Sequence, residues 1–378
     1  PKDPEPHMLL ANIYLKPQAR NRSANQEAMR KALAELETMR DIAPEDSRAY
    51  FPLGGLYFEL GEPEKAINSL EKFQSLVPGV DDGYLAIAEY YQRAQKNDQA
   101  VEYLNKAIQS KPDSPRSLMT LANLYSRMRK FKEAIPVYRK VLELTGENQA
   151  VKKQFAATLV DAGEFSEAVP LLEGVVKIMP QDREARLLLG RALTGSRRFA
   201  QAVETFRAVL EEDPKNLEAE YYLAIAYEQS GEPAEALKIF SQLLDETKAG
   251  SEEQKSNRLV FQEHLAANYQ DMGENDKAIA VYEEMVKSQK QPDARLVFLL
   301  INACRINRQL DKALALVKQY AGQFPGDANI GLVHARTLAD AGKTKEGVEI
   351  LLKMLQADPS NVDIYVNLSQ VYLQGKRY

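Results

Sequence analysis

One small residue returns along this chain at a fixed interval. Ala32, Ala66, Ala100, Ala134, Ala168, Ala202 and Ala236 stand 34 residues apart, the series resumes at Ala278 and Ala313, and Gly347 takes the place in the last copy. A spacing near 34 is what tandem pairs of antiparallel helices produce, since each pair buries its apolar face only against its neighbours. The periodicity therefore bounds the fold before composition is considered.

Other residues keep the same register. Twelve positions after the alanine come Pro44, Pro78, Pro112, Pro180, Pro214, Pro325 and Pro359. Proline lacks the backbone N–H and pushes the preceding residue out of the helical region, so each one separates two helices. Nine positions before the alanine stand Tyr57, Tyr91, Tyr125, Tyr227 and Tyr269, with Leu159, Leu193, Cys304 and Leu338 as substitutes. An apolar–small pair precedes them, as in Leu53-Gly54, Ile87-Ala88, Leu121-Ala122, Phe155-Ala156, Leu189-Gly190 and Leu223-Ala224. Small residues allow two helix backbones to approach, and the large ones fill the space beside them. Five positions before the alanine, Gly61, Gly163, Gly231, Gly273 and Gly342 mark the turn inside each hairpin, where a positive φ costs glycine least.

In these constants the chain resembles the tetratricopeptide repeat family over nearly its whole length. The repeat at 45–78 carries the family pattern as Tyr50, Leu53-Gly54, Tyr57, Gly61, Ala66, Leu70 and Pro78. The resemblance implies an all-α fold, a right-handed superhelical solenoid of antiparallel helix pairs. The register places repeats at about 1–44, 45–78, 79–112, 113–146, 147–180, 181–214, 215–248, 257–290, 291–325 and 326–359, in a single solenoid domain, with an unpaired first helix in 360–378. Two places interrupt the beat. The turn in the first repeat is stretched between Lys16 and Ala24, and residues are added between Thr247 and Asn257, read as a longer loop rather than a seam between two blocks. Pro52 predicts a local bend in the first helix of its repeat. Lys152, Arg186 and Glu220 replace the bulky residue that opens the first helix elsewhere; helix continues there, with other neighbours filling the gap.

Composition narrows the function. A net charge of −5 with mixed signs offers no general basic surface, so nucleic acid is not expected as a partner. No stretch approaches the roughly 20 apolar residues of a bilayer-spanning helix, so no direct membrane insertion is expected. The single cysteine, Cys304, occupies a core-facing slot and reads as a small buried hydrophobe. His7, His264 and His334 fall in different repeats without ligand-like spacing, and the glycines are isolated turn residues rather than a phosphate-binding loop. No catalytic, cofactor-binding or metal-binding residue, and no enzymatic activity, is expected. Pro1 and Tyr378 fall in phases that suggest a piece of a longer array, and near-consensus repeats without disulfides suit a bacterial protein of the cytoplasm or periplasm.

A solenoid of this kind offers a concave surface lined by its first helices. The side chain after the first aromatic position is predicted to face it: Phe51, Leu85, Met119, Lys153, Leu187, Tyr221 and Phe298 among others. One turn on stand Glu89, Asn123, Arg191 and Asn302, and beyond them Arg93 and Arg127. An apolar ladder flanked by mixed charge suits an extended peptide or a partner helix. Two binding modes of the family are tested by position. The clamp for a C-terminal carboxylate is missing, since Lys153 has Ala157 where an asparagine belongs and Asn123 has Met119 where a lysine belongs. The asparagine ladder of the sugar-transferase members is missing too, its slot reading Pro52, Ala86, Thr120, Gln154, Leu188, Tyr222, His264, Leu299, Val333 and Asn367. The expected function is a protein-interaction scaffold that takes a protein or peptide partner in its groove. The alternatives are a head-to-tail self-associating segment that builds rings or filaments, and the accessory region of a larger enzyme or bacterial envelope or export component.

Overall fold

A computed structural model describes residues 3–16, 22–146, 148–247 and 252–375. Among the described residues every regular element is helical: α1 (Glu5–Leu15), α2 (Arg22–Ile42), α3 (Tyr50–Glu59), α4 (Pro63–Leu76), α5 (Asp82–Arg93), α6 (Asn97–Ser110), α7 (Pro115–Arg127), α8 (Phe131–Thr145), α9 (Gln149–Ala162), α10 (Phe165–Ile178), α11 (Arg183–Gly195), α12 (Phe199–Glu212), α13 (Leu217–Ser230), α14 (Pro233–Glu246), α15 (Glu252–Asp271), α16 (Asn275–Ser288), α17 (Ala294–Ile306), α18 (Leu310–Tyr320), α19 (Ala328–Asp340), α20 (Thr344–Ala357) and α21 (Val362–Gly375), with short 3₁₀ turns at Ser47–Ala49 and Ala321–Gln323. Odd-numbered helices are the first of each pair. Contacts divide the chain into two units, Pro1–Leu188 and Leu189–Tyr378.

The same local chemistry starts and stops these helices. The periodic prolines all lie in the turns between pairs. Ser114, Asn148, Asn216, Asp293 and Asp327 then cap the next first helix, each accepting a hydrogen bond from a backbone N–H of the opening turn, which satisfies donors the helix itself leaves open. Within each pair the turn needs one left-handed residue. Gly61, Gly163, Gly231, Gly273 and Gly342 supply it at φ 75–83°, and Gln95, Arg129, Arg197 and Arg308 hold the same slot at φ 57–62° without being glycine. The turn geometry therefore persists where the sequence signal for it is lost.

The cores follow the periodic residues. All nine alanines of the series are fully buried. In the first unit a Cβ on Gly54 would stand 2.4 Å from Leu70 Cγ, and in the second a Cβ on Gly190 would stand 2.4 Å from the Phe206 ring. These glycines are thus required by the close approach of the two helices in their pairs. At Gly347 the obstacle is backbone: a Cβ would meet the Ala335 carbonyl at 2.7 Å, which explains why the alanine series ends in glycine. Cys304 is fully buried, as read from the sequence, and burial pushes its thiol above the ordinary range.

Three local expectations are revised. Pro52 is the third residue of α3, preceded by the 3₁₀ turn Ser47–Ala49, so its missing N–H falls in an opening turn that needs no intrahelical donor. Arg186 and Glu220 are themselves buried, at 8% and 7% exposure, so the polar side chains fill the wedge position rather than yielding it to neighbours. Of the two insertions, residues 17–21 and 248–251 lie outside the described residues. The described remainder is helix: α2 begins at Arg22 and α15 at Glu252, each a full turn or more longer than a typical partner such as α4.

Candidate binding faces of the first helices

Part of the apolar ladder read from the sequence turns into the cores, fully at two positions and partly at others. Leu85 and Leu187 are 1% and 8% exposed, Met119 packs beside Leu118, Val141 and Val151, and Phe298 joins the cluster around Leu300 and Ile301. The small residue three positions on, such as Ala88, draws each first helix against its partner and carries the preceding turn into the seam. Phe51 keeps exposure but lies 5.2 Å from Phe73 of α4. Lys153 is engaged by Asp182 at 2.9 Å and Glu184 at 2.8 Å, and these partners hold its ammonium above the usual range.

What faces the open side of the first unit is polar. Gln92 of α5, Thr120, Asn123, Ser126 and Arg127 of α7, Tyr138 of α8, and Gln154, Ala157, Thr158 and Asp161 of α9 line a groove of ≈ 540 Å³. Hydrogen bonds between successive first helices, and one within the α7–α8 pair, hold its floor. Arg127 donates to Gln92 Oε1, Ser126 Oγ and Thr158 Oγ1 lie 2.9 Å apart, and Tyr138 donates to Asn123 Oδ1 at 2.6 Å. Gln92 Nε2 is buried without an acceptor. At the rim Arg116 reaches Asp82 at 3.3 Å and Glu89 at 3.4 Å, and Arg93 is exposed at the end of α5. The groove thus gathers Asn123 and Arg127 from the predicted residues. Thr120 and Gln154 were legible only as departures from an asparagine ladder. Gln92 and Ser126, 34 residues apart, carried a signal: two polar residues in a slot that Phe58 fills one repeat earlier.

The second unit gathers different groups. Tyr221 lies against Tyr222, Phe240 and Phe261, with centroids 5.2–6.2 Å away. His264 stacks on Phe240 at 4.9 Å with planes 4° apart. Its Nδ1 is 3.0 Å from Glu228 Oε2 and its Nε2 is 3.4 Å from the Tyr221 hydroxyl. Fully buried Asn268 donates to the same Glu228 oxygen at 2.7 Å. Arg191 sits over the Tyr222 ring at 5.1 Å, and Asn302 accepts from Arg305. No histidine cluster was expected from sequence spacing, because Glu228 and His264 are brought together only by adjacent helices. Among the described residues no group of three or more His, Cys, Asp or Glu is arranged to hold a metal ion, and no helix is long and apolar enough to cross a membrane.

Family models agree with this architecture along much of the chain. Tetratricopeptide repeat models match residues 47–78, 159–206, 193–255 and 265–328, and the model of subunit 3 of the anaphase-promoting complex, or cyclosome, matches 93–175. The chain is a tetratricopeptide repeat protein. A tetratricopeptide repeat protein from Parabacteroides merdae shares the fold, with 21% identity and a TM-score of 0.52 over 68% of this chain and 98% of its own. YrrB, described as having an unusual peptide-binding site, aligns with 49% of this chain and 95% of its own at 18% identity and a TM-score of 0.43. MamA from Desulfovibrio magneticus aligns with 44% and 93% at 22% identity and a TM-score of 0.41. No curated protein matches the chain. The tetratricopeptide fold is in general that of a protein-interaction scaffold, typically without catalytic activity.

Proposed function

We propose that the groove across α5, α7 and α9 holds an extended segment of a partner protein, reading its backbone and short polar side chains. The observation that carries this reading is the lining itself. Amides and hydroxyls from three successive first helices converge there, and an extended peptide offers a donor and an acceptor at nearly every residue. An apolar helix face fits this lining poorly, since it would desolvate Thr120, Asn123 and Gln154 without replacing their water. Asn123 and Arg127 would be the central contacts, with Glu89 and Arg93 at the rim.

Random peptides displayed on phage and selected against the whole chain test the reading. Peptides that bind the wild type and lose tenfold or more on the Asn123→Ala, Arg127→Ala, Gln154→Ala variant support it. Peptides that bind both proteins equally, with the variant folded by circular dichroism, remove the groove from consideration.

Exposed apolar residues on α1 and α21 favour a second reading, head-to-tail self-association. Leu9 is 64% exposed, and Val362 and Leu373 are 70% and 67% exposed. Light scattering over a hundredfold concentration range separates the two: mass that grows with concentration supports assembly, and a constant monomer mass excludes it.

A further inference from the structure

In the second unit, α17 and α19 carry two guanidinium groups, Arg305 and Arg336, of which one is paired with a carboxylate. Arg305 donates to Asp340 Oδ2 at 2.7 Å, and both side chains are largely buried, at 17% and 10% exposure. Arg305 also donates to Asn302 Oδ1 at 3.0 Å. Gln374 takes the other Asp340 oxygen at 3.3 Å, so both oxygens of that carboxylate are occupied. Arg336 lies one turn before Asp340 on α19 and donates to a neutral acceptor, Gln370 Oε1, at 2.7 Å. Among the described residues no carboxylate stands within ion-pair distance of it. Burial and the neighbouring Arg305 cation both pull its guanidinium below the usual range, against a weaker opposing pull from Asp340.

A half-buried cation without a counter-charge destabilises the protein that carries it. Removing the charge would relieve that cost, and so would supplying an anion. A guanidinium presents a planar fork of donors that matches an oxyanion, and Gln370 uses only part of the fork. We propose that Arg336, with Arg305 near it, forms a subsite for an oxyanion of a bound protein segment, either a side-chain carboxylate or a phosphate monoester. The subsite lies wholly in the second unit and stands or falls independently of the groove on α5, α7 and α9.

The test uses the whole chain and small anions. Inorganic phosphate in one arm and acetate in the other are titrated against a sodium chloride control of matched ionic strength. The thermal midpoint and the Arg336 Nε–Hε resonance are followed together. A saturable rise in midpoint with a saturable shift of that resonance is expected in at least one arm, and which arm responds distinguishes phosphate from carboxylate. Arg336→Gln should abolish the saturable response while leaving the midpoint at or above that of the wild type. Gln370→Glu, which places a carboxylate beside Arg336 within the chain, should raise the midpoint and silence both arms. A wild type that responds to neither anion beyond the chloride control overturns the subsite. So does an Arg336→Gln variant that keeps the saturable response.

Discussion

Equivalent slots in the two units carry different chemistry. In three places the residue eight before the periodic alanine meets the residue ten before the next one. In the first unit that pair is Phe58 on Tyr90, stacked at 4.4 Å, and two repeats later it is Ser126 with Thr158, 2.9 Å apart. In the second unit it is Glu228 with Asn268 at 2.7 Å, tied further to His264 and through it to Phe240. Backbone geometry is common to all three, since the repeat sets it. The first unit leaves its polar pair beside a groove, and the second ties its pair to a histidine stacked on Phe240, with Glu228 still 22% exposed. What a first-helix face can bind is therefore a property of individual side chains, while what holds the helices apart is a property of the repeat.

The Glu228–Asn268 pair should be the most sensitive. Asn268→Leu removes a charge-assisted donor from Glu228 and a bond to the His264 carbonyl, partly offset because the Asn268 Oδ1 is itself buried without a partner. A loss of about 2 kcal/mol in urea unfolding is expected; a loss no larger than at the Ser126–Thr158 pair would erase the contrast between the units. pH gives a second handle on the second unit. Burial, and then the nearby Glu246, holds the Glu220 carboxyl above the ordinary range. The folded state thus keeps this proton to higher pH than the unfolded chain, so its contribution to stability is lost as pH rises above the usual carboxylate range. Stability measured at pH 5 and pH 8 should fall less in Glu220→Gln than in the wild type, and an identical decline in both would show that Glu220 ionises freely.

At the Ser126–Thr158 pair, Ser126→Ala alone should cost about 0.5 kcal/mol, since Thr158 keeps its bond to the Gln154 carbonyl, and adding Thr158→Val should cost less than the sum of the two single changes, because both remove the one hydrogen bond they share. Additive losses in this cycle would mean that the two hydroxyls do not depend on each other. The smallest effect is set by the hairpin turns. Arg129 holds the left-handed slot that Gly163 holds in the next repeat. Arg129→Gly should stabilise by about 0.5 kcal/mol, the relief of left-handed strain less the entropy glycine adds to the unfolded chain. The gain is limited by loss of the Arg129 contact over the Phe131 ring at 5.6 Å. Gly163→Ala should destabilise by about 1 kcal/mol. Thermal midpoints that move in opposite directions in these two variants would confirm that one turn geometry serves both hairpins.

Much of this was legible in advance for a physical reason. Pro44, Gly61 and Ala66 act on their own backbone or on a helix a few residues away, so their spacing suffices to place helices, turns and the fully buried alanines. Tyr57 and Cys304 follow, because the repeat leaves one place for each. Leu85 and Leu187 were misplaced because a helix face read from spacing has no fixed rotation until its partner's approach is known. The small residues at Ala88 and Gly190 set that approach, and only packing shows how far it turns the flank inward.

By itself the sequence determined the tandem helix pairs, their turns and the residues at their seams, since those depend on contacts within one repeat length. Only the tertiary structure decided that Gln92, Ser126 and Thr158 would share a groove, that His264 would find Glu228, and that Arg336 would lack the carboxylate given to Arg305. Each of these pairings joins side chains more than 30 residues apart. Their partners are set by how one pair of helices rests on the next, a geometry that no spacing within the chain specifies.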